Sequence, residues 1–165
     1  MKLDRHPGGD RDFARRVVIC GSMTFFGYMS RVREQLASAG VEALVPDAED
    51  HLLESASPRQ FDELRRAFAM NHIKRIRNPR TFAVLVLNFD KHGIENYIGP
   101  STFAEIAVAA VHGKKLFVLN GFPTVYEDEL ALWRAERLHG RLDQLIALYR
   151  ERCSRRTFQL DMFAA

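Results

Sequence analysis

The sequence predicts a doubly wound α/β fold, in which helices cover both faces of a parallel sheet. Short apolar runs rich in β-forming residues alternate along the chain with helical patterns of ten or more residues. This alternation is typical of βαβ units, because two parallel strands need a long crossover connection between them. The runs are apolar without interruption, which indicates strands that are covered on both faces.

The first half of the chain contains two strand and helix pairs. A short apolar run predicts the first strand over Val17–Cys20, and the helical pattern that follows predicts a helix around Tyr28–Ala39. A second apolar run predicts a strand over Val41–Val45, before a long helix around Pro58–Arg77.

The second half repeats the pattern. The run Phe82–Leu87 predicts the third strand, a helix follows from about Ser101 to His112, and Leu116–Leu119 predicts the fourth strand. The remaining periodic stretch, Glu127–Arg150, is expected to be helical. Together these elements predict a single-domain three-layer sandwich of the flavodoxin or Rossmann type.

Length and composition fit one globular domain. The chain has 165 residues, a formal net charge of +3 and 47% hydrophobic residues, so it can build a core of its own. Residues 17–150 are predicted to form the domain. Residues 1–16 and 151–165 show no periodicity and are expected to be tails, the first of them flexible.

Several functional classes lose support at this level. The apolar stretches Thr81–Phe89 and Phe103–Val111 are far shorter than the roughly 20 residues that cross a bilayer, and no signal peptide is recognised, so no membrane partner is expected. Cys20 and Cys153 cannot build a disulfide framework, and a cytoplasmic location is predicted. The six histidines lack metal-binding spacing, so neither a metal nor a cofactor is expected.

The basic charge invites a nucleic-acid interpretation, which is not favoured. Seven positive residues fall in or beside the second helix, but no aromatic residues interleave with them as in proteins that bind single strands. A solvated helix face is the preferred interpretation, and a nucleic-acid partner is considered unlikely. The residues are Arg59, Arg65, Arg66, Lys74, Arg75, Arg77 and Arg80.

In doubly wound sheets ligands bind beyond the carboxyl ends of the strands, so the residues after each strand are the candidates for a site. Those segments begin at Gly21, Pro46, Asn88 and Asn120. The first segment, Gly21–Gly27, matches neither the dinucleotide fingerprint nor the phosphate-binding loop of nucleotide hydrolases. Its Gly-Ser pair can still bring backbone amides to a small anion, or simply form a tight turn.

The third segment is unusually long. It runs for 12 residues from Phe89 to Pro100, whereas such loops usually have roughly 2–6. Loops of this length are often functional, and this one carries Asp90 and Tyr97 among several polar residues. It is expected to cover a polar ligand, with a solvated surface loop as the alternative.

The helix after this loop gives the sharpest signal. Phe103–Val111 is apolar at every position except Glu105, which predicts a buried helix that carries one costly carboxylate. A capping box formed by Thr102 and Glu105 is the structural alternative, since its spacing fits that motif.

These residues resemble the nucleoside 2-deoxyribosyltransferase-like superfamily of small α/β proteins that process N-glycosides. The resemblance covers most of residues 17–140, and its most specific part is the Gly-x-x-Thr-x-x-Glu portion with the strands that flank it. The matching stretches are Val18–Met23, Val84–Asp90, Asn96–Ile106 and Gly113–Asn120.

The resemblance implies that Glu105 is a nucleophile that attacks the anomeric carbon of a ribosyl or deoxyribosyl group, and that Asp90 orients the sugar or assists the leaving base. It also implies a set of substrate-binding residues around the ribose, base and 5′-phosphate of a nucleoside or nucleotide. These are Gly21, Ser22, Met23, Phe25, Phe26, Asn88, Tyr97, Gly99, Ser101, Thr102 and Asn120.

The resemblance also predicts which reaction is favoured. Family transferases often carry an aspartate shortly before the glycine that precedes the nucleophile, where this chain has Asn96 and Tyr97, so hydrolysis is favoured over transfer to a second base. A homodimer or higher homo-oligomer is expected, as in the family. The alternative is a nucleotide sensor with the same pocket and no turnover.

Overall fold

The computed structural model describes residues 15–47 and 57–163, with side chains described up to residue 154. Most of the predicted N-terminal tail, residues 1–14, lies outside the described residues. Within them, five parallel strands form one sheet in the order β2-β1-β3-β4-β5, and helices flank it on both faces. The predicted α/β class and three-layer, single-domain arrangement are therefore confirmed.

The sheet is built around the longest strand. β3 (Thr81–Leu87) is buried at every residue and lies between β1 (Arg16–Gly21) and β4 (Lys115–Val118). β2 (Ala43–Leu44) and β5 (Glu136–Arg137) form the edges with two residues each. In the central pair Cys20 lies beside Val86, so the carboxyl ends of β1 and β3 reach the same edge of the sheet.

The helices lie on two sides of this sheet. α1 (Phe26–Ser38) and α5 (Asp143–Phe163) pack on the face that carries Val17 and Ile19. The other face carries Val18 and Cys20 and is covered by α2 (Pro58–Arg77), α3 (Pro100–Val111) and α4 (Glu127–Leu132). The period of two in a strand thus directs Cys20 toward α2 and α3.

Local signals explain where the helices begin. α2 follows Ser57, whose backbone amide donates to the Gln60 side chain over 3.0 Å, and Pro58 takes the first helical position. α3 begins at Pro100 after Gly99, which caps it without any side-chain hydrogen bond. Glu105 is therefore the sixth residue of α3, and the capping box weighed for Thr102 and Glu105 does not form.

The structure differs from the predicted elements at the edge strands and the C-terminus. The stretch expected to be helical over Glu127–Arg150 is interrupted by β5, which pairs with β4 through Phe117 and Glu136. α5 continues to Phe163, past the predicted domain end at residue 150. β2 is shorter than its apolar run because only Ala43 and Leu44 find partners on β1.

Among the described residues, no helix combines the length and the apolar character needed to span a membrane.

Candidate active site

A cavity of about 430 Å³ opens between α2 and α3, beyond the carboxyl end of β1. This is the point where the strand order reverses, with β2 on one side of β1 and β3 on the other, and doubly wound proteins bind ligands there. Eight of the predicted site residues line it: Gly21, Ser22, Met23, Tyr97, Gly99, Ser101, Thr102 and Glu105.

Glu105 reaches the cavity from the inner face of α3. Thr102, Ile106 and Ala109 are buried on that face, and Glu105 lies one helical turn after Thr102. The amides of Ser101 and Thr102 belong to the first turn of α3 and have no partners within the helix. The cavity thus combines a carboxylate with the positive end of a helix.

Burial changes the chemistry of this carboxylate. Loss of solvent raises the pKa of Glu105 from its ordinary value of 4.5 to about 7, while hydrogen bonding with the Cys20 thiol acts in the opposite direction. A carboxyl group with a pKa near neutrality exchanges its proton easily under physiological conditions, which is a frequent property of catalytic groups.

Two side chains lie beside Glu105. The Sγ of Cys20 is 3.4 Å from the Nε2 of His72, and both residues are buried. Burial and then the charge of Arg75 lower the pKa of His72 to about 4, whereas burial and then the charge of Glu105 raise the pKa of Cys20 well above its ordinary value. At neutral pH the imidazole and the thiol are therefore both uncharged.

An ion pair borders the same region. Arg75 Nη2 lies 2.6 Å from Asp47 Oδ1, and Arg75 Nη1 donates to the Val45 carbonyl over 3.0 Å. Asp47 and Pro46 line the cavity. The rest of the segment expected there after the second strand, residues 48–51, lies outside the described residues. The ion pair joins α2 to the end of β2 and leaves little net charge beside His72.

The long loop between β3 and α3 folds over the cavity rim. Lys91 Nζ donates to Ser22 Oγ over 2.8 Å and lies 5.2 Å from the centre of the Tyr97 ring. The tip of this loop is a tight hairpin, in which Lys91 and Ile94 exchange backbone hydrogen bonds of 3.0 and 2.9 Å. The two turn residues between them, His92 and Gly93, both have positive φ. The long loop predicted to cover a polar ligand is thus ordered by its own hydrogen bonds, with Tyr97 and Gly99 in the cavity lining.

The structure places the other five predicted site residues away from the cavity lining. Asp90 accepts a 2.9 Å hydrogen bond from the Asn96 amide and shapes the loop. Phe25 is buried, with its ring 5.4 Å from that of Phe89, and Phe26 packs on the same core. Asn88 and Asn120 bind each other at the ends of β3 and β4.

Asn88 links three segments through one fully buried side chain. Its Nδ2 donates to the carbonyls of Gly121 (2.7 Å) and Asn96 (3.3 Å), and its Oδ1 accepts from the Asn120 amide (3.0 Å). Replacing Asn88 with alanine removes the side-chain partner of these partly buried backbone groups. We expect the free energy of unfolding to fall by about 2–4 kcal/mol, measured by denaturant titration.

Asn120→Ala is the matched control for this substitution. It removes only the 3.2 Å bond from Asn120 Nδ2 to the Asn88 carbonyl, so a loss of about 0.5–1.5 kcal/mol is expected. Equal losses for the two variants would contradict the central role of Asn88.

Sequence reasoning missed several residues of the site. The sequence places Cys20 at the end of a buried strand and Arg65 on a solvated helix face, and it gives no role to His72. In the structure His72 and Arg65 line the cavity together with Phe68. His72 lies one turn before the buried Ile76 on the inner face of α2. The four-residue spacing from His72 to Ile76 indicates that His72 faces inward from α2. The two-residue spacing from Val18 to Cys20 indicates that Cys20 lies on the same face of β1 as Val18.

The cavity thus lies at the edge of the sheet where doubly wound proteins bind their ligands. Comparison of the chain with protein-family models, with curated proteins and with solved structures gave no match.

Proposed function

We propose that this protein is an N-glycosidase that acts on a nucleoside or a nucleoside 5′-monophosphate, with Glu105 as nucleophile. The observation that carries the proposal is the position of Glu105: a partly buried carboxylate, with a pKa raised to about 7, lines a cavity at the reversal point of the sheet. The sequence resemblance to the deoxyribosyltransferase-like superfamily supports the same role.

The reaction proceeds in two displacements. A carboxylate oxygen of Glu105 bonds to the anomeric carbon as the bond to the base breaks, and the base leaves with the electron pair. Water then attacks the same carbon, breaks the ester and restores the carboxylate. Overall, one proton of the water ends on the base and the hydroxyl group on the sugar, so the reaction balances without a cofactor.

The cavity lining suggests how the substrate is held. Gly21 and Ser22 border the ribose, and the rings of Tyr97 and Phe68 offer faces on which a base can stack. The hydroxyls and first-turn amides of Ser101 and Thr102 suit a 5′-phosphate. The resemblance implies that Phe25 or Phe26 stacks on the base, but both pack in the core. We assign this stacking to Phe68, which lines the cavity.

The proposal also includes the oligomeric state and the location of the protein. A homodimer or larger homo-oligomer is implied by the resemblance, and sedimentation of the purified protein tests it. A cytoplasmic location agrees with the two cysteines, Cys20 and Cys153, which both lie among the described residues and form no disulfide.

A substrate panel tests the activity directly. Purified protein is incubated with the common ribo- and deoxyribonucleosides and their 5′-monophosphates, and free base is followed by chromatography. We expect base release from at least one compound, faster from monophosphates if the α3 N-terminus binds phosphate. Ligand-dependent thermal stabilisation without any product would instead support the nucleotide sensor and contradict the proposed hydrolysis.

A further inference from the structure

Three metal-ligating side chains meet at the inner wall of the cavity. Cys20 comes from β1, His72 from α2 and Glu105 from α3, and one ligand atom of each lies within 4.8 Å of the other two. Cys20 has no exposed surface and His72 only 3%. The cluster is built by the packing of three elements, since Cys20 and His72 are 52 residues apart in the chain.

The dimensions suit a tetrahedral metal site. Bonds of about 2.0–2.3 Å from zinc to nitrogen, oxygen and sulfur place neighbouring ligand atoms roughly 3.3–3.8 Å apart. The 3.4 Å between Cys20 Sγ and His72 Nε2 already falls in that range. The carboxylate of Glu105 lies within 4.8 Å of the other two ligand atoms. Rotation about the side-chain torsions of Glu105 can bring it into the same range.

The donor types select among metals. Thiolate, imidazole and carboxylate are each common zinc ligands, whereas magnesium and calcium take oxygen ligands almost alone. Imidazole binds metal in its neutral form, through a ring nitrogen such as the His72 Nε2 that faces Cys20 Sγ. The Asp47 carboxylate offsets the nearby charge of Arg75, which would otherwise repel a cation.

The geometry points to a Zn²⁺ site formed by Cys20, His72 and Glu105, with its fourth position open to the cavity. His72 and Glu105 line that cavity, so water or a small ligand can complete the coordination. Binding releases the thiol proton of Cys20 to solvent, leaves His72 neutral and holds Glu105 ionised. Two anionic ligands then balance the charge of the ion.

The zinc site does not depend on the proposed glycosidase activity, but zinc binding would affect that activity. A carboxylate that ligates zinc cannot also attack an anomeric carbon, so the two uses of Glu105 exclude each other. If the protein hydrolyses nucleotides, zinc is therefore an inhibitor that a chelator reverses.

Metal content and cobalt spectroscopy test the site without any activity measurement. Full-length protein is stripped with a chelator, incubated with Zn²⁺ and passed through a desalting column before elemental analysis. We expect about one zinc per chain. With Co²⁺ in its place, we expect a thiolate-to-cobalt charge-transfer band in the near ultraviolet, which reports on Cys20 directly.

The two cysteines provide matched variants. Cys20→Ser should abolish the charge-transfer band, while Cys153→Ser should keep both the band and the zinc. His72→Gln and Glu105→Gln should each weaken zinc binding by more than the roughly 10–100-fold that loss of an outer-shell partner costs. These two variants also cover the case in which Cys20→Ser fails to fold.

Two results would overturn the inference: zinc retention no higher in the wild type than in His72→Gln, or a charge-transfer band that persists in Cys20→Ser. Absence of base release from every nucleotide would overturn the proposed function and leave the metal measurements as they are. Undiminished base release by protein that carries one bound zinc would show that Glu105 does not serve in both ways. Zinc binding by Glu105→Gln then decides which: unchanged binding would show that Glu105 is not a ligand, and weakened binding that it is not the nucleophile.

Discussion

Replacing Glu105 with glutamine is expected to slow base release by about 1,000-fold or more. Glutamine has nearly the same shape but cannot form the covalent intermediate, so the whole contribution of the nucleophile is lost. This factor corresponds to about 4 kcal/mol of transition-state stabilisation. The measurement is kcat/KM for the best compound of the substrate panel, with Glu129→Gln, an exposed carboxylate on α4, as the control that keeps the rate.

The pH dependence of base release is a second test of Glu105 as the nucleophile. Only the ionised carboxylate attacks, and its pKa is about 7. The rate of the wild type should therefore rise with pH up to about 7 and level off above it, falling tenfold per pH unit on the acid side. A rate that does not change between pH 5 and 8 would argue against Glu105 as the nucleophile.

Stability measurements show whether the glutamine variant remains folded. The folded pKa of Glu105 lies above its ordinary 4.5, so its stabilising contribution is present below pH 4.5 and is lost as the pH rises through 7. Above pH 7 Glu105→Gln should be more stable than the wild type, by up to about 3 kcal/mol. The pKa of His72 is lowered, so its contribution to stability is lost as the pH falls from 6.5 to 4. This loss is the same in the wild type and in Glu105→Gln and does not affect the comparison.

The second large effect is expected at the end of β1. An alanine at Gly21 would place its Cβ 2.7 Å from the Leu87 carbonyl oxygen and 2.9 Å from the Met29 side chain. Leu87 is held in the ladder between β1 and β3, so its carbonyl cannot move aside without breaking the sheet. We expect Gly21→Ala to lower the free energy of unfolding by about 2–4 kcal/mol, measured by denaturant titration.

Gly27→Ala is the matched control. Gly27 lies in the first turn of α1, and an added Cβ there meets no atom within 4 Å. Because alanine loses less backbone entropy than glycine in a helix, this variant should be unchanged or more stable by up to about 1 kcal/mol. If both alanines lower stability alike, contact with Leu87 is not the cause.

The central layers of the fold were predictable because their signals are local. The uninterrupted apolar run of β3 indicates a strand covered on both sides, and Ser57 with Pro58 marks the start of α2. β5 was not predictable in this way, because two charged residues between helical patterns carry no strand signal. β5 forms because the backbone of these two residues pairs with the edge of β4. A contact between distant segments of this kind leaves no local pattern in the sequence.

The site was predictable only in part, for a similar reason. Glu105 is conspicuous because a single carboxylate interrupts an apolar helix. Cys20 and His72 are ordinary residues of a strand and a helix, and their closeness follows from which faces of β1 and α2 meet. Asn88 is predicted to bind substrate, but its buried side chain instead pairs with partly buried backbone groups of neighbouring segments, which is a structural role.

The hairpin tip of the long loop has a consequence for how specificity can change. Because Lys91 and Ile94 satisfy each other's backbone groups, another two-residue turn can replace His92 and Gly93. The exchange costs only the edge contact between the rings of His92 and Tyr97, whose centres lie 6.4 Å apart. Lys91 alone connects the tip to Ser22. A set of variants at position 91, with the rest of the turn kept, would therefore change the entrance of the cavity near Ser22. The inner wall with Glu105 would stay the same.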